Sequence, residues 1–312
     1  MAQPSFTLDV APPFRLDLTV WALRRRPANQ IDRWDGAAWR RTVFAGEVPV
    51  ELTVTQVAST QRPRLMVEML GAPSEASEIL IRQTLNRALG TDIDLAPFYA
   101  MAVRDSRLNE LAGRFRGMRP PKFPTIFEAL ANGVACQQLS LEAGLALLNR
   151  LVASHGQAPS STPGEGKAFP RPCDLASADL QSLRALGFSR AKGLALIETA
   201  SAAERRQIDL EGLGNLDDAA LGGKLDDLRG VGRWTAEYVL LRGFGRLNIF
   251  PGDDVGARNG LQRWLGLTRP LDYEGAAKIL REWRPYGGLV YLHLLLKSLQ
   301  EKGLIAATEN RG

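Results

Sequence analysis

Cysteine and histidine are scarce in this chain of 312 residues, which has two of each: Cys136 and Cys173, His155 and His293. Two thiols cannot build a disulfide framework, and they cannot supply the four ligands of a structural zinc site or an iron–sulfur cluster. The expectation is a reduced, cytoplasmic chain without a thiolate-held metal. Long apolar runs are also missing. The longest, Leu289–Leu296, contains His293 and falls well short of the ~20 residues a membrane-spanning helix needs. The start, Met-Ala-Gln-Pro-Ser-Phe, lacks the basic and apolar regions of a signal peptide. The expectation is therefore a protein that is neither membrane-embedded nor secreted.

What remains is the composition of an ordinary globular protein, 45% hydrophobic and 23% charged. The length predicts about two domains. Lys and Arg (39) outnumber Asp and Glu (34), giving a net charge of +5 and a pI of about 9.4. That balance favours an anionic partner, nucleic acid first.

Residues 1–107 read as an α+β domain. Phe6, Leu8 and Val10 alternate with polar neighbours, as a half-buried strand does. Trp34-Asp35-Gly36-Ala37 has a hairpin signal, with Ala38–Phe44 returning. Val48, Val50, Leu52 and Val54 form a third alternating run, and Arg64–Leu70 a further strand. Ser74 is placed to cap a helix whose apolar face would be Ile79, Leu80, Leu85 and Leu89. These segments suit a curved antiparallel sheet with one or two helices.

Residues 108–312 read as all-helical. Expected helices are Phe127–Leu151, Ala176–Leu186, Arg190–Arg205, Asp217–Leu228, Gly232–Gly243, Asp254–Leu265, Gly275–Arg284 and Leu289–Glu301. A loop rich in Pro, Gly and Ser, 155–172, interrupts them. No repeat of fixed period is present, which excludes a solenoid.

The chemistry concentrates in 228–258. Leu228-Arg229-Gly230-Val231-Gly232-Arg233-Trp234-Thr235-Ala236 joins two of these helices. Its glycines permit backbone conformations and close approaches that other residues forbid. The helix that follows begins with unpaired N–H groups and a positive dipole end, which suit a phosphate. No strand precedes the turn and a third glycine is missing, so it is not a dinucleotide fingerprint. The turn alone fits phosphate binding and a plain helix connection equally. Downstream, Pro251-Gly252-Asp253-Asp254 precedes a helical run, and one of the two aspartates suffices as an N-cap. The other, one helix from a hairpin holding a DNA backbone, would face the sugar of a displaced nucleotide. There a carboxylate can stabilise the positive charge that grows as a base departs, and can orient water.

Hairpin and aspartate together resemble the helix-hairpin-helix DNA glycosylase superfamily, and in particular its alkylation-repair branch of the DNA-3-methyladenine glycosylase II type. The likeness extends to 127–140 as the first core helix and minor-groove loop and to 175–187 as the middle helices. More loosely, residues 1–107 are similar to a TATA-binding-protein-like sheet domain, and the hairpin spans about 217–243. The resemblance puts the catalytic carboxylate on Asp254, with Asp253 as cap or helper. Gly230, Val231, Gly232 and Thr235 become the DNA grip, and Gln137 and Gln138 the loop that fills the duplex, Gln138 as the wedge. Superfamily members that also cut the backbone place a Schiff-base lysine where this chain has Trp234. The resemblance therefore implies a monofunctional enzyme that releases alkylated purines from duplex DNA and leaves an intact abasic site. No organic cofactor is implied; a monovalent cation held by hairpin carbonyls is in keeping with the family. It further implies a monomer working on nucleoid DNA in a bacterial-type cytoplasm. A non-catalytic hairpin module and a glycosylase for oxidised or deaminated bases are the alternatives.

Trp234 and Tyr238 lie one helical turn apart. Core packing is the commoner fate of aromatics at that spacing, but the resemblance assigns the pair to the base pocket, with Trp21 as a further aromatic. Ring faces attract a cationic alkylated base by roughly 0.5–2 kcal/mol. Another pocket aromatic of the branch falls on Leu295, which cannot stack, and Gly256 is smaller than the residue expected there. Arg114, Arg116, Arg119 and Lys122 are weighed as a phosphate-contacting run against a plain solvated surface, and His293 is expected in the core.

Overall fold

Five strands form one antiparallel sheet in the order β1-β5-β4-β3-β2. In chain order they are β1 (Ser5–Asp9), β2 (Arg33–Trp34), β3 (Ala38–Ala45), β4 (Val48–Gln56) and β5 (Arg64–Leu70). The computed structural model describes residues 4–70, 75–159 and 166–306. As expected, Asp35-Gly36 turns β2 into β3: the Asp35 carboxylate accepts the N–H groups of Ala37 and Ala38, and Gly36 has φ +106°. Alternation then sends Val50, Leu52 and Val54 into the core.

Helix α1 (Leu16–Arg24) was not anticipated. Its Leu16, Leu18, Val20 and Ala22 alternate like a strand because the helix is buried on two sides. Leu16, Val20 and Leu23 face the core under the sheet, while Leu18 and Ala22 face a second core. In α2 (Glu75–Leu89) the buried stripe is Ile81, Leu85, Ala88 and Leu89, not the expected Ile79 and Leu80, which are 56% and 39% exposed. Ser74, the expected cap, lies outside the described residues.

Helices follow at α3 (Ala96–Ala102), α4 (Ser106–Arg114), α5 (Ile126–Cys136), α6 (Leu141–His155), α7 (Pro172–Leu175), α8 (Leu180–Ala185) and α9 (Arg190–Glu204). After them come α10 (Asp218–Asp226), α11 (Arg233–Val239), α12 (Val255–Leu265), α13 (Tyr273–Leu280) and α14 (Gly287–Glu301). Residues 107 and 108 lie in the first turn of α4. The expected helix Phe127–Leu151 is divided between α5 and α6, because Gln138 takes a left-handed φ of +53° and Ser140 caps α6 by accepting the N–H of Ala143. The expected Ala176–Leu186 is shortened to α8, with α7 ending just before Ala176.

The first core joins the sheet to α2, α5, α6 and α9–α11; the second joins α3, α4, α12 and α14. Arg41 of β3 ties sheet to helices inside the first. It is 1% exposed and donates to Asp32 (2.7 Å) and to both oxygens of Glu128 on α5 (2.6 Å).

Candidate active site

The hairpin between α10 and α11 closes with the Val231 N–H on the Leu228 carbonyl (3.1 Å). Gly230 has φ +75°, and a Cβ there would come within 2.9 Å of the Ala195 methyl on α9, so glycine is required on two counts. Val231 is buried and anchors the turn, Gly232 is exposed, and the Gly232 carbonyl accepts the N–H of Ala236 (2.9 Å). Thr235 presses its methyl against α5 at Gly133, where a Cβ would meet it at 2.8 Å.

The loop between α5 and α6 is lashed to this hairpin. The Gln137 amide donates to the Gly230 carbonyl and to Thr235 Oγ1, both at 2.7 Å. Lys192 Nζ donates to the carbonyls of Ala135 (2.9 Å) and Gln137 (2.7 Å). Gln137 is thus engaged with the hairpin, while Gln138 and Leu139 at the loop tip are exposed.

Asp254 is itself the N-cap of α12: its Oδ1 accepts the N–H of Ala257 at 2.9 Å. Of the two roles expected for Asp253, cap or helper, this removes the cap. Asp253 instead receives the Arg233 guanidinium on both oxygens, at 2.6 and 3.0 Å. Arg233 also lies over the Tyr273 ring (4.0 Å), and the Tyr273 hydroxyl donates to Glu237 (2.6 Å). Glu237 accepts the Gly252 N–H (2.9 Å), and Arg258 donates to the Gly252 carbonyl (2.6 Å). Burial raises the Glu237 pKa, and the bond to Glu237 pushes the Tyr273 phenol up to about 12. A Cβ at Gly256 would stand 3.2 Å from Asp254 Oδ1, so the small residue there keeps the carboxylate uncrowded. The other oxygen, Oδ2, accepts the Tyr291 hydroxyl at 3.2 Å.

Trp234 and Tyr238 stack with ring centres 5.5 Å apart and planes 23° from parallel. Trp234 is half-buried and Tyr238 buried. Behind Tyr238 sits Arg25, which ends α1 at φ +63° and donates to the Tyr238 hydroxyl and to Asn132 Oδ1, both at 2.8 Å. Burial opposes the Arg25 charge, yet Tyr238 and its other neighbours raise its pKa overall. Trp21 lies one turn before Arg25, its carbonyl accepting the Arg25 N–H, and is covered by the Arg24 guanidinium at 4.9 Å. Leu295 is half-buried on α14, one turn beyond Tyr291.

Sequence reasoning missed Arg25, Glu237, Tyr273 and Tyr291. Tyr291 was within reach, since it stands four residues before Leu295 on the same helix face. Arg25 offered no local signal. In the run at Arg114–Lys122, Arg114 and Arg116 are exposed whereas Arg119 and Lys122 are not. Arg119 is buried and donates to the Ala11 carbonyl, Arg116 lies over Tyr99, and Lys122 is half-buried. His293 is fully buried as expected, its Nδ1 2.7 Å from the Leu289 carbonyl, and burial lowers its pKa to about 4. Among the described residues no group of three His, Cys, Asp or Glu is arranged to hold a metal, and no helix is long and apolar enough to cross a membrane.

A glycine hairpin braced by the loop after the first core helix, with a carboxylate capping the helix beyond it, defines a helix-hairpin-helix protein. The family model described as HhH-GPD superfamily base excision DNA repair protein matches residues 132–285, just under half of the chain, and the chain is similar to that superfamily there. It is 27% identical over 282 residues to DNA-3-methyladenine glycosylase 2 of Escherichia coli, covering 90% of this chain and 94% of that one. It is 29% identical over 170 residues to the Bacillus subtilis relative YfjP, spanning 54% of this chain but only 58% of YfjP's length. The fold superposes on 3-methyladenine DNA-glycosylase from Archaeoglobus fulgidus with a TM-score of 0.84 at 22% identity, covering 96% of this chain and all of that one.

Proposed function

We propose that the chain is a monofunctional DNA glycosylase that removes alkylated purines from duplex DNA as a monomer. The observation that carries this reading is Asp254, held at the start of α12 and joined through Asp253–Arg233 to the helix that bears the stacked Trp234–Tyr238 pair. Its relatives include enzymes named DNA-3-methyladenine glycosylase, and structural neighbours of the same fold were solved on DNA.

In this reading the hairpin holds the backbone through Gly230–Gly232 while Gln138 enters the space left by the displaced nucleotide. The base enters beside Trp234 and Tyr238. As the N-glycosidic bond lengthens, electrons move onto the base and positive charge grows on the sugar, where the Asp254 carboxylate stabilises it. Water then adds to C1′ and gives up its proton to the surrounding solvent. A cationic alkylated base leaves as a neutral molecule and needs no strong general acid. The Trp234 side chain cannot form a Schiff base, so the strand stays whole.

A second reading, a neutral deaminated or oxidised base, is favoured by one observation. Two buried guanidiniums, Arg25 and Arg242, lie near Tyr238, and positive charge there suits a base bearing carbonyl acceptors. Incubation with methylated duplex DNA, analysed with and without hot alkali, tests the proposal. Breaks that need alkali are expected; breaks without alkali overturn monofunctionality, and no base release overturns the activity.

A further inference from the structure

Tyr291 on α14 has no part in the steps above, yet its hydroxyl stands 3.2 Å from Oδ2 of Asp254. Burial first, and the Asp254 charge second, push the Tyr291 phenol well above its ordinary pKa, so it is a neutral donor to the carboxylate. Its ring meets Phe250 edge-on, with centres 5.7 Å apart and planes at 86°. The Asp254 carboxylate is therefore held by one bond on each oxygen: the Ala257 N–H on Oδ1 and the Tyr291 hydroxyl on Oδ2. The terminal torsion of an aspartate is otherwise broad, and two donors from different helices fix it. Each oxygen keeps a further lone pair for the sugar or for water.

Taking the glycosylase reading as its basis, we infer that Tyr291 is the positioning residue for Asp254, and that its ring closes the pocket on the α14 side where Leu295 cannot stack. The bland reading is a tyrosine that merely satisfies its hydroxyl on the nearest acceptor. What separates the two is whether loss of the hydroxyl disturbs the electrostatics at the sugar rather than stability.

The test compares wild type, Tyr291→Phe and Tyr291→Leu in three measurements. These are thermal midpoint, single-turnover base release, and affinity for duplexes carrying either a cationic pyrrolidine or a neutral tetrahydrofuran abasic analogue. Tyr291→Phe is expected to keep the midpoint and the tetrahydrofuran affinity, to slow release about tenfold, and to erode the preference for the cationic analogue by a similar factor. Tyr291→Leu, losing the ring as well, is expected to be slower still. An unchanged cationic preference in Tyr291→Phe overturns the inference, whether or not the midpoint falls. A wild type that prefers the cationic analogue but releases no base would overturn the activity reading alone, because the analogue arm reports on Asp254 without chemistry.

Discussion

Arg233 forks onto both oxygens of Asp253, at 2.6 and 3.0 Å, and so fixes the first residue of α11 to the residue immediately before Asp254. Hairpin and carboxylate are thus one unit, and a backbone held by Gly230–Gly232 would stand at a set distance from the carboxylate. Because Arg233 is exposed, little folding energy rests on this pair. Its value lies in geometry. Asp253→Asn is expected to leave the thermal midpoint unchanged while slowing single-turnover base release roughly tenfold, since small misplacements of a reacting group are expensive. An unchanged rate would show that the pair does not position Asp254.

On the proposed glycosylase reading Asp254 has two duties, cap and catalytic carboxylate, that a pair of substitutions can separate. As an N-cap it satisfies the Ala257 N–H, and asparagine caps as well as aspartate does. Asp254→Asn should therefore fold normally and bind duplex DNA, yet lose base release by about a thousandfold or more, as the negative charge beside the sugar is gone. Asp254→Ala should lose the same activity and in addition about 1 kcal/mol of stability with the cap. Differential denaturation of the two variants measures the cap alone.

The two glutamines should part company in the same way. Gln137 braces the loop against Gly230 and Thr235, whereas Gln138 is exposed in a left-handed conformation that glycine adopts without cost. Gln138→Gly is expected to hold or slightly raise stability while weakening binding to damaged duplex relative to intact duplex. Gln137→Ala should lower stability, by roughly 1 kcal/mol, through the stranded carbonyl and hydroxyl. Equal effects on damaged-duplex binding would remove the distinction.

Much of this architecture is legible along the chain because its signals are local. Asp35-Gly36 forms its hairpin, and the alternating Val50, Leu52 and Val54 fill the core, since turn chemistry and period-two burial need no knowledge of distant residues. Gly230 and the Asp253-Asp254 pair are legible for the same reason. What could not be read depends on residues far apart. Helix α1 looks like a strand only because it lies between two cores. Arg25 meets Tyr238 across 213 positions, and Glu128 meets Arg41 across 87. Which aspartate caps α12 turned on Arg233, twenty positions upstream.

His293 offers a test of the packing that backs α14. It is fully buried beside Phe98, with ring centres 5.2 Å apart, and burial lowers its pKa to about 4 from an ordinary 6.5. The folded state thus resists a proton that the unfolded chain accepts. Its contribution is complete above pH 6.5 and declines as pH falls from there towards 4, by a total of about 3 kcal/mol. Chemical denaturation at pH 7.5 and at pH 5 should show wild type losing stability on acidification. His293→Leu is expected to be less stable at pH 7.5, having lost its shape fit, but to lose less on going to pH 5. If both proteins lose the same amount across that interval, the imidazole is not held neutral by the core.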